Sequence, residues 1–147
     1  MIWKPNVTVA AVIEQDGRFL LVEEETAEGV MFNQPAGHLE DGETLLEGVT
    51  REVREETAYR FTPTALLGTY LWKHPKKEIT YLRFAFTGEI VGHDPAQPLD
   101  AGILRACWLS LEEIRASQGK HRSPQVLTCI EDYLAGQRFP LSVLTHL

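Results

Sequence analysis

Between Glu40 and Glu56, seventeen residues carry seven carboxylates against two arginines, a local charge of −5 in a chain whose total is −7. So dense an acidic run repels itself unless something cationic sits in it. Glu52, Glu55 and Glu56 recur at i, i+3 and i+4, the interval that brings side chains to one face of an α-helix. Leu45, Leu46, Val49 and Val53 supply an apolar stripe of helical period. Thr44-x-x-Glu47 has the form of a capping box. The spacing therefore predicts a helix from about Leu45 to about Thr57, despite the weak helix formers Gly48 and Thr50. Three carboxylates on one helix face suit a hard divalent cation such as Mg2+. Mn2+ accepts the same oxygen ligands, and the sequence does not choose between them.

The rest of the chain reads as an ordinary globular protein. Its 147 residues, 44% hydrophobic and 24% charged, suit one domain with a real core, spanning residues 1–147. No apolar run approaches a membrane span, so no membrane partner is expected. Met1 to Asn6 lack a signal-peptide pattern, and a cytoplasmic location is the expectation. Cys107 and Cys129 sit in apolar surroundings without CxxC spacing and read as buried free thiols. The acidic balance argues against a stable nucleic-acid partner. It also sets a problem for any phosphate substrate, since both partners are anionic, and a bound divalent cation resolves it. Oligomeric state stays open between monomer and dimer.

Val7 to Ile13 is rich in β-branched residues and reads as a strand. Gln15-Asp16-Gly17 signals a turn, with a second strand over Arg18 to Glu23. Glu24 to Gly29 reads as a loop. Leu67 to Trp72 and Ile79 to Ile90 read as two further strands around Lys73-His74-Pro75-Lys76-Lys77. Gly92 to Gly102, with Pro95 and Pro98, reads as a loop, and Cys107 to Leu109 as a short strand. Ser110-x-x-Glu113 is a second capping box. Ser123, Pro124 and Gly136 bracket a last helix. Strands interleaved with few helices suggest an α/β protein whose mixed sheet is sandwiched between helices.

Read from Gly37, the defined residues are Gly37, Glu43, Arg51, Glu52, Val53, Glu55 and Glu56. They resemble the Nudix box, G-x5-E-x7-R-E-U-x-E-E-x-G-U, where U is bulky and aliphatic. Ala58 and Tyr59 depart from its last two positions. The family glycine ends the helix in a left-handed conformation, so Ala58 either carries strain of up to roughly 1 kcal/mol or ends the helix differently. Blocks outside the box resemble one bacterial phosphatase branch of the family. They include Asn33 to Glu40, Leu82-Arg83-Phe84, Arg122-Ser123-Pro124 and Gly136 to Leu141, and they run almost the length of the chain.

The resemblance implies the Nudix fold, an α/β/α sandwich, and attack of water on a phosphoanhydride with a bound metal. Glu52, Glu55 and Glu56 match the family's metal-binding glutamates, with Glu52 or Glu56 as the candidate general base. Glu43 and Arg51 match a supporting ion pair that holds the loop against the helix. Gly37 permits close backbone approach, and the carbonyl of Ala36 is a candidate metal ligand by resemblance. Asp100 is the candidate ligand from outside the box. Gln34, His38, Arg83, Trp72 and Lys73 join Gly37 as candidate substrate contacts, the aromatic for stacking and the cations for phosphates.

Three functions compete. The phosphatase resemblance implies action on nucleoside tri- and diphosphates and on hydroxymethylpyrimidine pyrophosphate. A second Nudix class cleaves ADP-ribose or other nucleoside diphosphate sugars. A non-catalytic Nudix-like binding domain would be expected to lose box carboxylates, and all of them are present here.

Overall fold

The computed structural model describes residues 1–147. The first strand, β1 (Asn6–Val12), lies at the centre of the molecule because its β-branched and alanine side chains are buried on both faces. A two-residue strand β2 (Glu14–Gln15) turns into β3 (Arg18–Thr26) through Asp16 and Gly17, both at positive φ. That backbone is the hairpin turn for which Asp-Gly is suited. β4 (Gly29–Asn33) and the short β5 (Ala36–His38) follow, then α1 (Leu45–Thr57). The long strands β6 (Tyr59–Lys73) and β7 (Thr80–His93) form a hairpin, and β8 (Ile103–Ser110) leads into α2 (Leu111–Ala116) and α3 (Gln125–Leu134).

The strands divide between two four-stranded sheets. One is mixed, in the order β5-β1-β7-β6, with β1 parallel to β7 and the other pairs antiparallel. The other is antiparallel and centred on β3, which pairs β2 and β4 along one edge and β8 along the opposite edge. Alternation along β1 assigns its two faces to two cores. Val9 and Ala11 pack with Leu20, Phe86 and the α1 residues Val49 and Val53. Val12 packs with Leu21, Ala85, Ile114 of α2, and Cys129 and Ile130 of α3. The sheets thus lie between α1 and the α2–α3 pair, the sandwich expected from the sequence.

Both capping boxes form. Thr44 accepts from the Glu47 amide at 3.1 Å while Glu47 accepts from the Thr44 amide at 2.8 Å, and Ser110 and Glu113 repeat the arrangement. At the other end of α1, Ala58 takes the left-handed conformation, φ 62°, that the family motif gives to glycine. Its amide closes the helix on the Arg54 carbonyl at 2.9 Å. The loop that follows β7 takes two further carbonyls at this end and shares the Arg54 carbonyl with Ala58. The amides of Asp94 and Asp100 donate to Ala58 O and Glu55 O, each at 3.0 Å, and Gln97 Nε2 donates to Arg54 O. Both cysteines are buried and free.

Two stretches differ from the sequence expectation. Glu24 to Gly29 is not a loop: β3 continues to Thr26 and returns as β4 after a tight turn. Thr26 closes the turn by donating to Gly29 O at 2.7 Å and accepting from Glu28 N at 3.1 Å. The run Glu23-Glu24-Glu25 hid this strand because its residues are all polar and give no apolar alternation. β6 also starts eight residues before the expected Leu67, at Tyr59. Its register shifts around Pro63 and Gly68 mark bulges, and β6 is an edge strand, where proline is tolerated.

Candidate active site

The end of β5 delivers the chain into α1 so that the backbone at Gly37 lies directly against the Glu52 carboxylate. A Cβ built on Gly37 would collide with that carboxylate, so only glycine allows this approach. Opposite, the Asp100 amide hangs on Glu55 O, which brings the Asp100 side chain to the same place. Carboxylate oxygens of Glu52, Glu55 and Asp100 lie within 4.8 Å of one another. This all-oxygen donor set fits a hard divalent cation. Asp100, picked from outside the box, is therefore brought together with two of the three box glutamates.

Glu56 stands beside this trio rather than in it. One of its oxygens accepts from the Ala36 amide at 2.9 Å, which ties α1 to β5. Burial pushes its carboxyl up to about 9, opposed by the Ala36 hydrogen bond and reinforced by the charge of Glu52. Glu52 is also raised by burial, opposed by its hydrogen bond with Arg51. Without a cation burial favours the protonated form of both carboxyls, and a cation would displace those protons.

Arg51 organises the acidic run. Its Nε and Nη2 donate to both oxygens of Glu43, at 3.0 and 2.8 Å, a two-pronged clasp. Its Nη1 donates to Glu52 at 2.8 Å and to Glu55 at 3.3 Å, and Nη2 also reaches His38 O at 3.1 Å. Glu40 adds an ion pair at 3.3 Å. The clasp holds Glu43 below the usual carboxylate range, and Glu43 in turn accepts from the Glu40 amide. One arginine thus gathers four carboxylates and the strand that carries Gly37.

These groups sit at one end of a cleft of about 500 Å³. Ala36, Gly37 and His38 line it, as do Glu52, Glu56, Asp100, Trp72 and Arg83. Two sequence assignments need correction. Gln34 is not a cleft residue: it is buried, donating to Val126 O at 2.8 Å and accepting from Arg83 Nη1 at 2.8 Å, so its amide is spent on holding β7 to α3. Lys73 points away from the cleft, exposed and within 3.9 Å of Glu78, because alternation along β6 turns Trp72 inward and its neighbour outward. Lys77, past the hairpin tip, lines the cleft in its place.

Sequence reasoning missed Glu24, Asn33, Arg122, Ser123 and Gln125, which also line the cleft. Arg122 pairs with Glu24 at 2.7 Å across its rim. A signal was available, since Asn33, Arg122 and Ser123 belong to the short blocks that carry the resemblance outside the box.

The chain is a member of the Nudix hydrolase family: the NUDIX domain matches residues 3–128. Among its relatives is phosphatase NudJ of Escherichia coli strain K12, 42% identical over 142 residues, covering 97% of this chain and 92% of that protein. Phosphatase NudJ of Shigella flexneri matches to the same extent. Among solved structures, a NUDIX hydrolase from Nitrosomonas europaea superposes with a TM-score of 0.96 at 54% identity, covering 98% of each chain. A MutT NUDIX hydrolase from Burkholderia pseudomallei shares the fold, with a TM-score of 0.74 at 20% identity, over 88% of this chain and 98% of that one. No helix is long and apolar enough to cross a membrane.

Proposed function

We propose that this protein is a Mg2+-dependent phosphohydrolase acting on nucleoside tri- and diphosphates and on hydroxymethylpyrimidine pyrophosphate. The observation that carries this reading is the oxygen trio of Glu52, Glu55 and Asp100, set against Gly37 at the mouth of the cleft. The relatives described as phosphatase NudJ support a phosphohydrolase activity.

Glu52, Glu55 and Asp100 would hold the divalent cation, with the Ala36 carbonyl as a further oxygen. Bound there, Mg2+ or Mn2+ supplies neutralisation of phosphoryl oxygens and a more acidic water. Arg51 contributes no substrate contact; it fixes the carboxylates by binding Glu43, Glu52 and Glu55 together. Glu56 lines the cleft outside the trio with one oxygen held by the Ala36 amide, so the other is the group left to accept a proton from the attacking water. Lys77, which lines the cleft, would offer its positive charge to phosphate oxygens. The bond broken is a P–O bond of the anhydride, and water supplies the new oxygen.

A phosphate-release screen with Mg2+ tests the reading on nucleoside tri- and diphosphates, hydroxymethylpyrimidine pyrophosphate and, with a coupled phosphatase, ADP-ribose. Turnover of the first groups that disappears in Glu52→Gln and Glu56→Gln is expected. Turnover of ADP-ribose alone would move the chain to the sugar-nucleotide class, and no turnover of anything would return it to a binding domain.

A further inference from the structure

Lys77, Arg83 and Arg122 are the lysines and arginines that line the cleft, and each is held in a different way. Lys77 makes no ion pair. Arg83 is buried, and the neutral groups of Gln34, Asn33 and Cys129 brace its guanidinium. Arg122 alone is neutralised by a carboxylate: its Nη1 lies 2.7 Å from Glu24 Oε1, across the rim. The two ends of this pair differ. The Arg122 side chain is 44% exposed and that of Glu24 15%, so the guanidinium meets solvent while the carboxylate sits in the cleft wall.

The backbone beneath Arg122 is fixed. Its amide donates to Phe32 O at 2.8 Å, His121 before it forms a β-bridge with Phe32, and Ser123 after it is buried. His121 Nε2 lies 2.9 Å from Ile114 O, which ties the segment to α2. The side chain is the part left free to move, and it has room. Arg122 lines both the cleft and a second groove of about 500 Å³ that opens beside it along α3. On the other strand, Glu23 pairs with Arg105 of β8 while Glu24 turns to the cleft. There burial, together with the charges of Glu52 and Glu24, raises the Glu56 carboxyl, so Glu24 lies within electrostatic reach of the acidic end.

A phosphate offers a guanidinium the same pair of oxygens as a carboxylate, so one replaces the other without loss of donors. We propose that Arg122 is a substrate-binding residue held in reserve by Glu24: in the free protein the pair is closed, and on binding the guanidinium leaves Glu24 for the substrate's phosphate oxygens. This rests on the reading above only for a phosphate-bearing ligand in the cleft. Glu24 is then left behind without its partner, and that is costly for a carboxylate so little exposed. The cost lowers affinity for every phosphate ligand, and a ligand must bring enough negative charge to outcompete the carboxylate. A triphosphate brings more of it than a monophosphate, so the pair favours the longer chain and helps a shortened product to leave.

Calorimetry with Mg2+ and an ATP analogue that has methylene groups in both phosphate bridges tests the exchange without hydrolysis. Arg122→Ala should bind the analogue at least about tenfold more weakly, the loss of a charge-assisted contact. Glu24→Gln should bind it about three- to tenfold more tightly, because the arginine is released in advance. Introduced into Arg122→Ala, the same Glu24→Gln change should gain less than about twofold, since the two residues act as one unit. Melting curves check that each variant is folded, and Arg122→Gln replaces Arg122→Ala if the latter is not. Weaker binding in both single variants makes the pair a strut and overturns the proposal. An equal gain from Glu24→Gln with and without Arg122 is through-space charge alone and overturns it too, as does wild-type binding of adenosine as tight as that of the analogue. Opposite signs in a protein that releases no phosphate would keep the exchange and defeat the hydrolase reading. Turnover that disappears in Glu52→Gln, with weaker binding in both single variants, would do the reverse.

Discussion

Arg51 braces carboxylates of the cleft and Arg83 lines it, and the two are clothed in opposite ways. Arg51 is half-buried among Glu40, Glu43, Glu52 and Glu55, and its charge is consumed within the protein. Arg83 is fully buried among two amides and a thiol, and its charge has no internal counterpart. The same side chain braces carboxylates in one setting and is braced by neutral groups in the other. What distinguishes them is the donor count left after the fold has taken its share. By this contrast the acidic end keeps carboxylates that a cation would need, and the Arg83 end keeps a positive charge that no carboxylate neutralises.

The sharpest way to break the contrast is to remove charge at the acidic end. Glu52→Gln or Glu56→Gln should lower kcat by about a hundred- to ten-thousandfold, the range for loss of a positioned proton acceptor or its neighbour. Wild-type turnover in either variant would remove the chemistry from this end. A smaller effect is expected from disturbing the brace. Arg51→Lys loses the two-pronged clasp on Glu43, and Gly37→Ala drives a methyl into the Glu52 carboxylate. Each should cost roughly ten- to a hundredfold in Mg2+ affinity or activity. Titration of Mg2+ against turnover measures it, and unchanged half-saturation would show that the brace is dispensable.

A pH series on protein stripped of divalent cations with a chelator sharpens the picture further. Glu52 and Glu56 are both raised by burial, Glu56 to about 9. Between the ordinary carboxylate range and pH 9 the folded protein therefore holds more protons than the unfolded chain. Stability should fall as pH rises through that window and level off above it. Arg51, Glu24 and Asp100 face these groups, and Arg51 opposes the trend at Glu52. Melting temperature against pH reads the slope, and added Mg2+ should reduce it; a stability that climbs from pH 5 to 9 would contradict the burial argument. The smallest effect belongs to Ala58→Gly. Relief of left-handed strain, about 1 kcal/mol, is offset by a lost buried methyl of about 0.8 kcal/mol and by a freer unfolded chain. Denaturant unfolding should show a change under about 1 kcal/mol, far less than a motif position would suggest.

The acidic half of the site was legible because its information is local. Helical spacing fixes Glu52, Glu55 and Glu56 relative to one another, and the predicted bounds of α1 agree with the helix that forms. Asp100 could be nominated only as a carboxylate in a loop; its arrival beside Glu55 depends on a backbone hydrogen bond across forty-five residues of chain. The half of the cleft around Arg83 was far less legible. Arg83 and Trp72 could be placed on strands, but which face opens to a cleft is decided by where α3 stops covering the sheet. Gln34 and Lys73 were misassigned for that reason: each is a plausible substrate contact in one dimension, and each is turned away by the packing of its neighbours. The hidden extension of β3 and β4 carried Glu24 and Asn33 to the cleft without any apolar alternation to announce it.

The loop that carries Asp100 is fastened to the last turn of α1 through Arg54, Glu55 and Ala58 carbonyls. Two of these three ties come from backbone amides, which any residue but proline supplies. The inheritance of the site is correspondingly lopsided. Descendants of this chain can rewrite Pro95, Ala96, Pro98 and Leu99, which make no bond to the helix, and so try new loop surfaces while Asp100 keeps its station. The donor set is then passed on by backbone geometry, and novelty accumulates between its fixed points.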